Sequence, residues 1–268
     1  MRPTQIRDFK MKKVILNVLT IVLIVATFAA CGGGNGSSYK IKMTTEINGE
    51  VGFYLGGSGI ATVDWGDGSE KVSLTLNEDG LSLYRSGESL YTFDRPLYAQ
   101  VAPTGVQDGV LNYYGVRFVH TYSNATIRTI TINGDNITAL FCIGGYPWTS
   151  LDVSKNTALK FLICERTQLK NLDVSKNTAL TYLSVNANPQ LTGLDVSKNT
   201  ALTSFNVTNS EFTSTTLNTL FGTLPNTTIQ GETKTIYVQG NPGAYDCNKS
   251  IAERKGWTVK NLWSWQEN

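Results

Sequence analysis

The chain has few groups able to do chemistry, and their spacing limits what they can do. His120 is its one histidine. A nucleophile–base pair needs a third group to orient the base, and neither a serine–histidine nor a cysteine–histidine motif accompanies it. No catalytic residues are therefore assigned, no cofactor is implied and the chain is not expected to be an enzyme. The expected role of His120 is a hydrogen bond at a sheet edge. Asp64 and Asp67 have two readings, as calcium ligands or as acceptors for the backbone of their own turn. Glu70 is the only near candidate for a third acid, which favours the turn. Asp152, Asp173 and Asp195 recur at fixed spacing, each followed three residues on by Lys155, Lys176 or Lys198. Stacked carboxylates can hold a metal, but alternating sign points to a solvated surface ladder, so no metal site is expected.

Cysteine gives a different lead. Met11-Lys12-Lys13 opens a basic segment, Val14–Phe28 is mostly apolar, and Ala29-Ala30-Cys31 is followed by Gly32–Gly34 and Ser37-Ser38. Small residues before a cysteine and a polar tether after it resemble a bacterial lipoprotein signal. The resemblance implies a signal peptide over 1–30, removed in the mature protein. Cys31 then carries palmitate and other acyl chains, with 31–38 as a flexible tether. An uncleaved membrane anchor is the competing reading, and the true start is Met1 or Met11. Cys142, Cys164 and Cys247 remain, an odd number. Cys142 and Cys164 are expected inward on neighbouring strands, near enough for a disulfide but pointing in parallel, which favours free thiols.

The elements that position these residues follow from one phrase. Leu-Asp-Val-Ser-Lys-Asn-Thr-Ala-Leu occurs at 151–159, 172–180 and 194–202, starting 21 and 22 residues apart. Between copies run Leu162-x-Cys164, Leu183-x-Val185 and Phe205-x-Val207, with an eroded copy at Ile137-x-x-Leu140-x-Cys142. A fixed period in this range signals stacked coils that bury their leucines only against one another. The phrase resembles the leucine-rich repeats of surface lipoproteins from gut Bacteroidetes, and is similar to the short, cysteine-bearing repeats of internalin-type adhesins. The resemblance covers roughly 137–260. The family's turn asparagine is expected to be interrupted, since its positions read Gly145, Thr167, Asn188, Ser210 and Asn241. A C-terminal repeat and cap is expected over 213–268. It comprises a helix at Thr215–Leu224, a strand at Lys234–Gln239, a helix at Asp246–Lys255 and a strand at Trp257–Lys260.

Residues 39–133 read as a separate β domain. Alternation marks strands at Tyr39–Thr44, Val51–Leu55, Lys71–Leu76, Leu81–Tyr84, Ser89–Phe93, Val116–His120 and Thr126–Ile132. Val63-Asp64-Trp65-Gly66-Asp67-Gly68 and His120-Thr121-Tyr122 resemble motifs of β-sandwiches of the polycystic-kidney-disease type; the resemblance leaves 71–115 unassigned. The whole is expected to be mainly β: an N-terminal β-sandwich, a short leucine-rich-repeat solenoid over 134–212, and a C-terminal cap.

A net charge of +2 with 16% charged residues excludes the basic footprint of a nucleic-acid binder. Strand alternation places Ala139, Phe141, Ile143, Phe161, Ile163, Glu165, Tyr182, Ser184, Asn186, Ser204, Asn206, Thr208, Thr235, Tyr237 and Gln239 outward. Of these, Phe141, Phe161, Ile163, Tyr182, Asn186, Asn206 and Tyr237 are the candidate ligand-binding residues. The expected function is protein binding or adhesion through this face by an envelope protein. Its lipid anchor would hold it in the outer membrane, exposed at the cell surface. The alternative is a glycan-binding accessory lipoprotein. The ligand would be a protein or glycan on host or bacterial surfaces. Tyr182 and Tyr237, read as exposed, are expected to be removable without loss of stability.

Overall fold

The computed structural model describes residues 39–76, 115–226 and 233–261. The signal peptide, Cys31, the tether, the strands expected at 81–84 and 89–93, and Trp263 and Trp265 lie outside the described residues. The described chain is mainly β, in one sheet system of nine strands.

Two long strands build the first part: β1 (Ile41–Asp64) and β3 (Val116–Cys142). They absorb the separate strands expected at 39–44 and 51–55, and at 116–120 and 126–132. Apolar alternation continues through slips of register at Ile47/Gly49 and at Ser58/Ala61, where bulges bend a strand without ending it. Gly57 makes one bend possible: its φ is +142°, and a Cβ there would strike the Asn136 carbonyl oxygen. As a result each strand meets its partner twice. Ile132 lies opposite both Ile41 and Val63, and Tyr54 opposite both Arg117 and Phe141. The short strand β2 (Val72–Leu76) pairs with Gly59–Val63, and β4 (Trp148–Asp152) with Lys42–Thr45. Phe53 holds the interior, 5.7 Å from the rings of Trp65 and Phe118 and 6.2 Å from Trp148.

The end of β3 begins a parallel ladder. Ala139–Cys142 pairs in register with β5 (Phe161–Cys164), then follow β6 (Tyr182–Ser184), β7 (Ser204–Asn206), β8 (Lys234–Tyr237) and β9 (Trp257–Lys260). Leu140, Leu162, Leu183, Phe205 and Ile236 form one fully buried row. The boundary expected at 133/134 lies inside β3, whose first stretch pairs with β1 and whose last pairs with β5. One apolar core runs without a break from Ile41 to Trp257.

Two columns of side-chain hydrogen bonds hold the coils at their spacing. In the first, Asn177 Nδ2 donates to the Val153 and Asn156 carbonyls, and Asn199 Nδ2 to those of Val174 and Asn177. The second is the turn column expected to be interrupted, and it is largely continuous. Asn188 donates to the Cys164 and Val185 carbonyls and accepts from Thr167; Ser210 accepts from the Asn188 amide; Asn241 donates to the Val207 and Val238 carbonyls. Threonine and serine hydroxyls thus fill places where asparagine is missing, because each turn needs a donor or acceptor rather than an amide as such. Beside this column Arg166, Ala187 and Asn209 all take φ of 54°. Their amides donate to Asn186, Thr208 and Gln239 carbonyls of the next coil, which offsets the left-handed backbone.

Helix α1 (Ser214–Thr223) buries Leu217, Leu220 and Phe221, with Thr213 as N-cap. The second expected helix shortens to α2 (Ser250–Glu253), because the chain from Ala244 to Asn248 forms tight turns instead. Carbonyls at the end of α1 are taken by Lys255 Nζ, from Gly222 and Leu224, and by Lys234 Nζ and Trp257 Nε1, from Pro225.

Candidate ligand-binding face

The outward side of the parallel ladder carries side chains in rows, since parallel strands in register align like positions about 4.8 Å apart. One row is Ala139, Phe161, Tyr182, Ser204 and Thr235; the next is Phe141, Ile163, Ser184, Asn206 and Tyr237. The first strands contribute an apolar end. Ala139, Phe141, Ile163 and Tyr182 form a second apolar cluster, separate from the main core, with Tyr54, Ile143 and Phe161 packed against it.

This corrects the expected exposure. Phe141, Ile163 and Tyr182 are 1%, 3% and 5% exposed, and Asn206 is also buried. Alternation rightly turns these side chains away from the leucine core, but large neighbours one strand apart cover one another. Phe161, Asn186 and Tyr237 remain half-buried. Tyr182 is therefore not removable without cost, contrary to expectation.

The later strands contribute a polar end. Glu165 and Ser184 are buried, and Ser184 Oγ donates to Glu165 Oε1 at 2.7 Å. Burial pushes the Glu165 carboxyl up, against the opposing effects of the Ser184 hydrogen bond and the nearby Arg166 charge. One strand further, Asn206 Oδ1 accepts from the Thr208 amide at 2.9 Å. Thr208 is 3% exposed and its hydroxyl has no hydrogen-bond partner. Burial also raises the Tyr237 phenol.

The remaining candidate groups are hydrogen-bonded within their own turns or to a facing strand. Asp64 Oδ1 accepts from the Gly66 amide and Asp67 Oδ1 from the Ser69 amide, each at 3.0 Å. His120 Nε2 donates to Asp67 Oδ2 at 2.7 Å, and its ring stacks on Trp65 at 5.0 Å. Hydrogen bonds from Ser69, then from His120, hold Asp67 below the ordinary carboxylate range. Tyr122 Oη donates to the Trp65 carbonyl. Gly66, at φ +75°, passes so close to the Thr129 carbonyl that no side chain fits. Asp152, Asp173 and Asp195 accept from the amides of Ser154, Ser175 and Ser197. Among the described residues no three His, Cys, Asp or Glu side chains gather as a metal site. No described helix is long and apolar enough to cross a membrane. Cys142, Cys164 and Cys247 are buried free thiols, and burial, then Cys142, pushes Cys164 up.

The chain is similar to an internalin. Among solved structures it matches the functional domain of InlJ from Listeria monocytogenes, described as including a cysteine ladder, with 25% sequence identity and a TM-score of 0.28. The match covers 44% of this chain and 33% of that one, so this chain spans about a third of the length of its relative. No family model and no curated protein matches the chain.

Strand alternation alone places Glu165, Ser184 and Thr208 outward, yet nothing in their spacing marks them as a group. Glu165 and Ser184 meet because β5 and β6 align in register. The buried asparagine column at Asn156, Asn177 and Asn199 had a usable signal: the same amide at the sixth place of each identical phrase.

Proposed function

We propose that this chain is a lipid-anchored envelope protein that binds a protein partner through the outward face of its parallel ladder. In this reading the ladder is a leucine-rich-repeat solenoid closed by a C-terminal cap. The doubly paired β1 and β3 form a β-sandwich of the polycystic-kidney-disease type. The carrying observation is the face itself: in-register rows that change from apolar and aromatic at Phe161 to polar at Asn206 and Tyr237. A surface with an apolar end and a polar end suits a partner with both. Contact falls on the half-buried Phe161, Asn186 and Tyr237, with Tyr54 and Ile143 at the margin.

The test compares Tyr237→Ser with Asp173→Ala in pull-downs from host and bacterial surface proteins, beside a glycan array. Tyr237→Ser should weaken partner binding by about 2 kcal/mol while Asp173→Ala leaves it intact. Capture that Tyr237→Ser does not alter removes the face from recognition, and binding confined to the glycan array replaces the protein ligand with a sugar. The anchor is tested in the same strains: Cys31→Ala should abolish palmitate labelling, and unchanged labelling would exclude lipidation there.

A further inference from the structure

The outward row of the ladder does not stop at Phe141. Tyr54 lies opposite Phe141 and Arg117 opposite Tyr54, so the row continues onto the long strands β1 and β3. There it ends in a group of polar side chains. Arg117 Nη2 donates to Glu50 Oε1 at 2.8 Å, and Tyr146 Oη donates to the same oxygen at 3.2 Å. Arg117 also hydrogen-bonds to Tyr146. Gly52 stands between Glu50 and Tyr54 on that side of β1 and, having no side chain, admits Tyr146. The Tyr146 hydroxyl lies 3.6 Å from where a Cβ on Gly52 would be. The Tyr146 ring also meets the buried Trp148 ring at 6.4 Å, nearly edge to face. The group is thus held in place before any ligand arrives. Yet the Arg117 and Glu50 side chains stay 48% and 51% exposed, and an exposed ion pair contributes little to stability. Hydrogen-bonding capacity remains. Among the described residues Glu50 Oε2 takes no hydrogen bond, and Glu50 and Tyr146 use only part of the five N–H donors of a guanidinium.

We propose that Glu50, Tyr54, Arg117 and Tyr146 form a binding site for a neutral sugar, held through two neighbouring hydroxyls of one pyranose ring. The ion pair carries no net charge, so a charged ligand attracted by one partner is repelled by the other. What the pair presents is an acceptor beside donors. Neighbouring sugar hydroxyls match that pattern, because each both donates and accepts. One accepts from the Arg117 guanidinium, and the other donates to Glu50 Oε2. A pyranose also has a face of C–H groups, and the half-buried rings of Tyr54 and Tyr146 border the charged pair. Aromatic rings beside a few placed polar groups are the usual lining of a small-ligand site. A peptide backbone has donors and acceptors too, but offers them along a strand edge. Here the groups stand on the face of paired strands, with Tyr54 directly opposite Arg117. The site lies on β1 and β3, apart from Asn206 and Tyr237, and does not depend on a protein partner bound there.

The full-length chain, in a detergent without a sugar headgroup, is titrated with maltotriose, cellotriose and mannotriose. N-acetylglycine methylamide, which has an amide donor and acceptor but no ring, and sodium acetate serve as comparisons. The readout is the ring resonances of Tyr54 and Tyr146, assigned by their loss in Tyr54→Leu and Tyr146→Leu. A saturable shift of both rings with at least one trisaccharide is expected, and none with the amide or acetate. Arg117→Gln should weaken that sugar by about tenfold and Glu50→Gln by about threefold. Unchanged methyl resonances of Val51 and Leu55, buried in the same strand, establish that both variants remain folded. No saturable shift with any of the three sugars, or an equal shift with the amide or acetate, overturns the site. Sugar affinity unaltered by Arg117→Gln overturns it as well. The site and the ladder face fail separately. Arg117→Gln should leave partner capture intact, and Tyr237→Ser should leave sugar affinity intact. Sugar binding lost in Tyr237→Ser would move the sugar onto the ladder, and the site at Arg117 falls.

Discussion

Single residues in this chain carry opposite pH dependences. Glu165 has its carboxyl raised by burial above the ordinary value of 4.5, against the Ser184 hydrogen bond and the adjacent Arg166 charge, which lower it. A raised carboxyl means the folded state holds the proton more tightly than the unfolded one. Its contribution is complete below the unfolded value and is lost as pH rises through the folded one. Asp67, Asp173 and Asp195 are lowered from 3.8, chiefly by hydrogen bonds from their own turns, so their contributions are lost as pH falls below that value. Glu165→Gln should therefore raise the melting temperature at neutral pH and remove the decline on the alkaline side of pH 4.5. It should leave the acid limb in place. A profile of Tm against pH with the same alkaline slope in the variant would show that Glu165 is not the titrating group.

The coil is the next unit, and its hydrogen-bonded and apolar parts can be weighed separately. Leu162 is fully buried between Leu140 and Leu183, and Leu162→Ala should cost about 2–5 kcal/mol. Asn177 is equally buried, and its amide serves two carbonyls of the preceding coil. Asn177→Ala removes one of the two donors from each carbonyl, which keep their own turn amides, and should cost about 0.5–1.5 kcal/mol for each hydrogen bond lost. The adjacent Lys176 is exposed, and Lys176→Ala should change stability by less than about 0.5 kcal/mol. Urea midpoints of the three variants decide the matter. An Asn177→Ala midpoint equal to that of Lys176→Ala would mean the column does not hold the coils together.

At the scale of the molecule, β3 joins what sequence divides. Its first stretch pairs with β1 and its last opens the parallel ladder, while a single apolar core extends from Ile41 to Trp257. Elements that share a strand and a core unfold together unless a weak contact separates them. The described residues should melt in one calorimetric transition. Leu162→Ala in the ladder and Phe53→Ala in β1, beside Phe118 and Trp148, should each shift that same transition. Two resolved peaks, with each substitution moving a different one, would show independent units.

How much of this was legible beforehand depends on the range of the information. Periodicity is local, and it determined the inward row from Leu140 to Ile236, the outward turn of Phe161 and Tyr237, the helix carrying Leu217, Leu220 and Phe221, and the tight turn at Trp65–Gly68. Alternation also separates outward from inward, but it is silent about whether an outward side chain meets solvent. The burial of Phe141, Ile163 and Tyr182 depends on the bulk of neighbours one strand away. Register across coils decided that the Ser184 hydroxyl reaches Glu165, and that Thr208 is buried beside Asn206 with its hydroxyl unused. It also decided that Thr167 and Ser210 sustain a column that sequence reads as interrupted. Bulges allowed β1 and β3 to run on where turn signals suggested ends, because a strand that keeps its hydrogen bonds through a bend has no reason to stop. Spacing along the chain fixes which face a side chain takes; only the fold decides what it meets there.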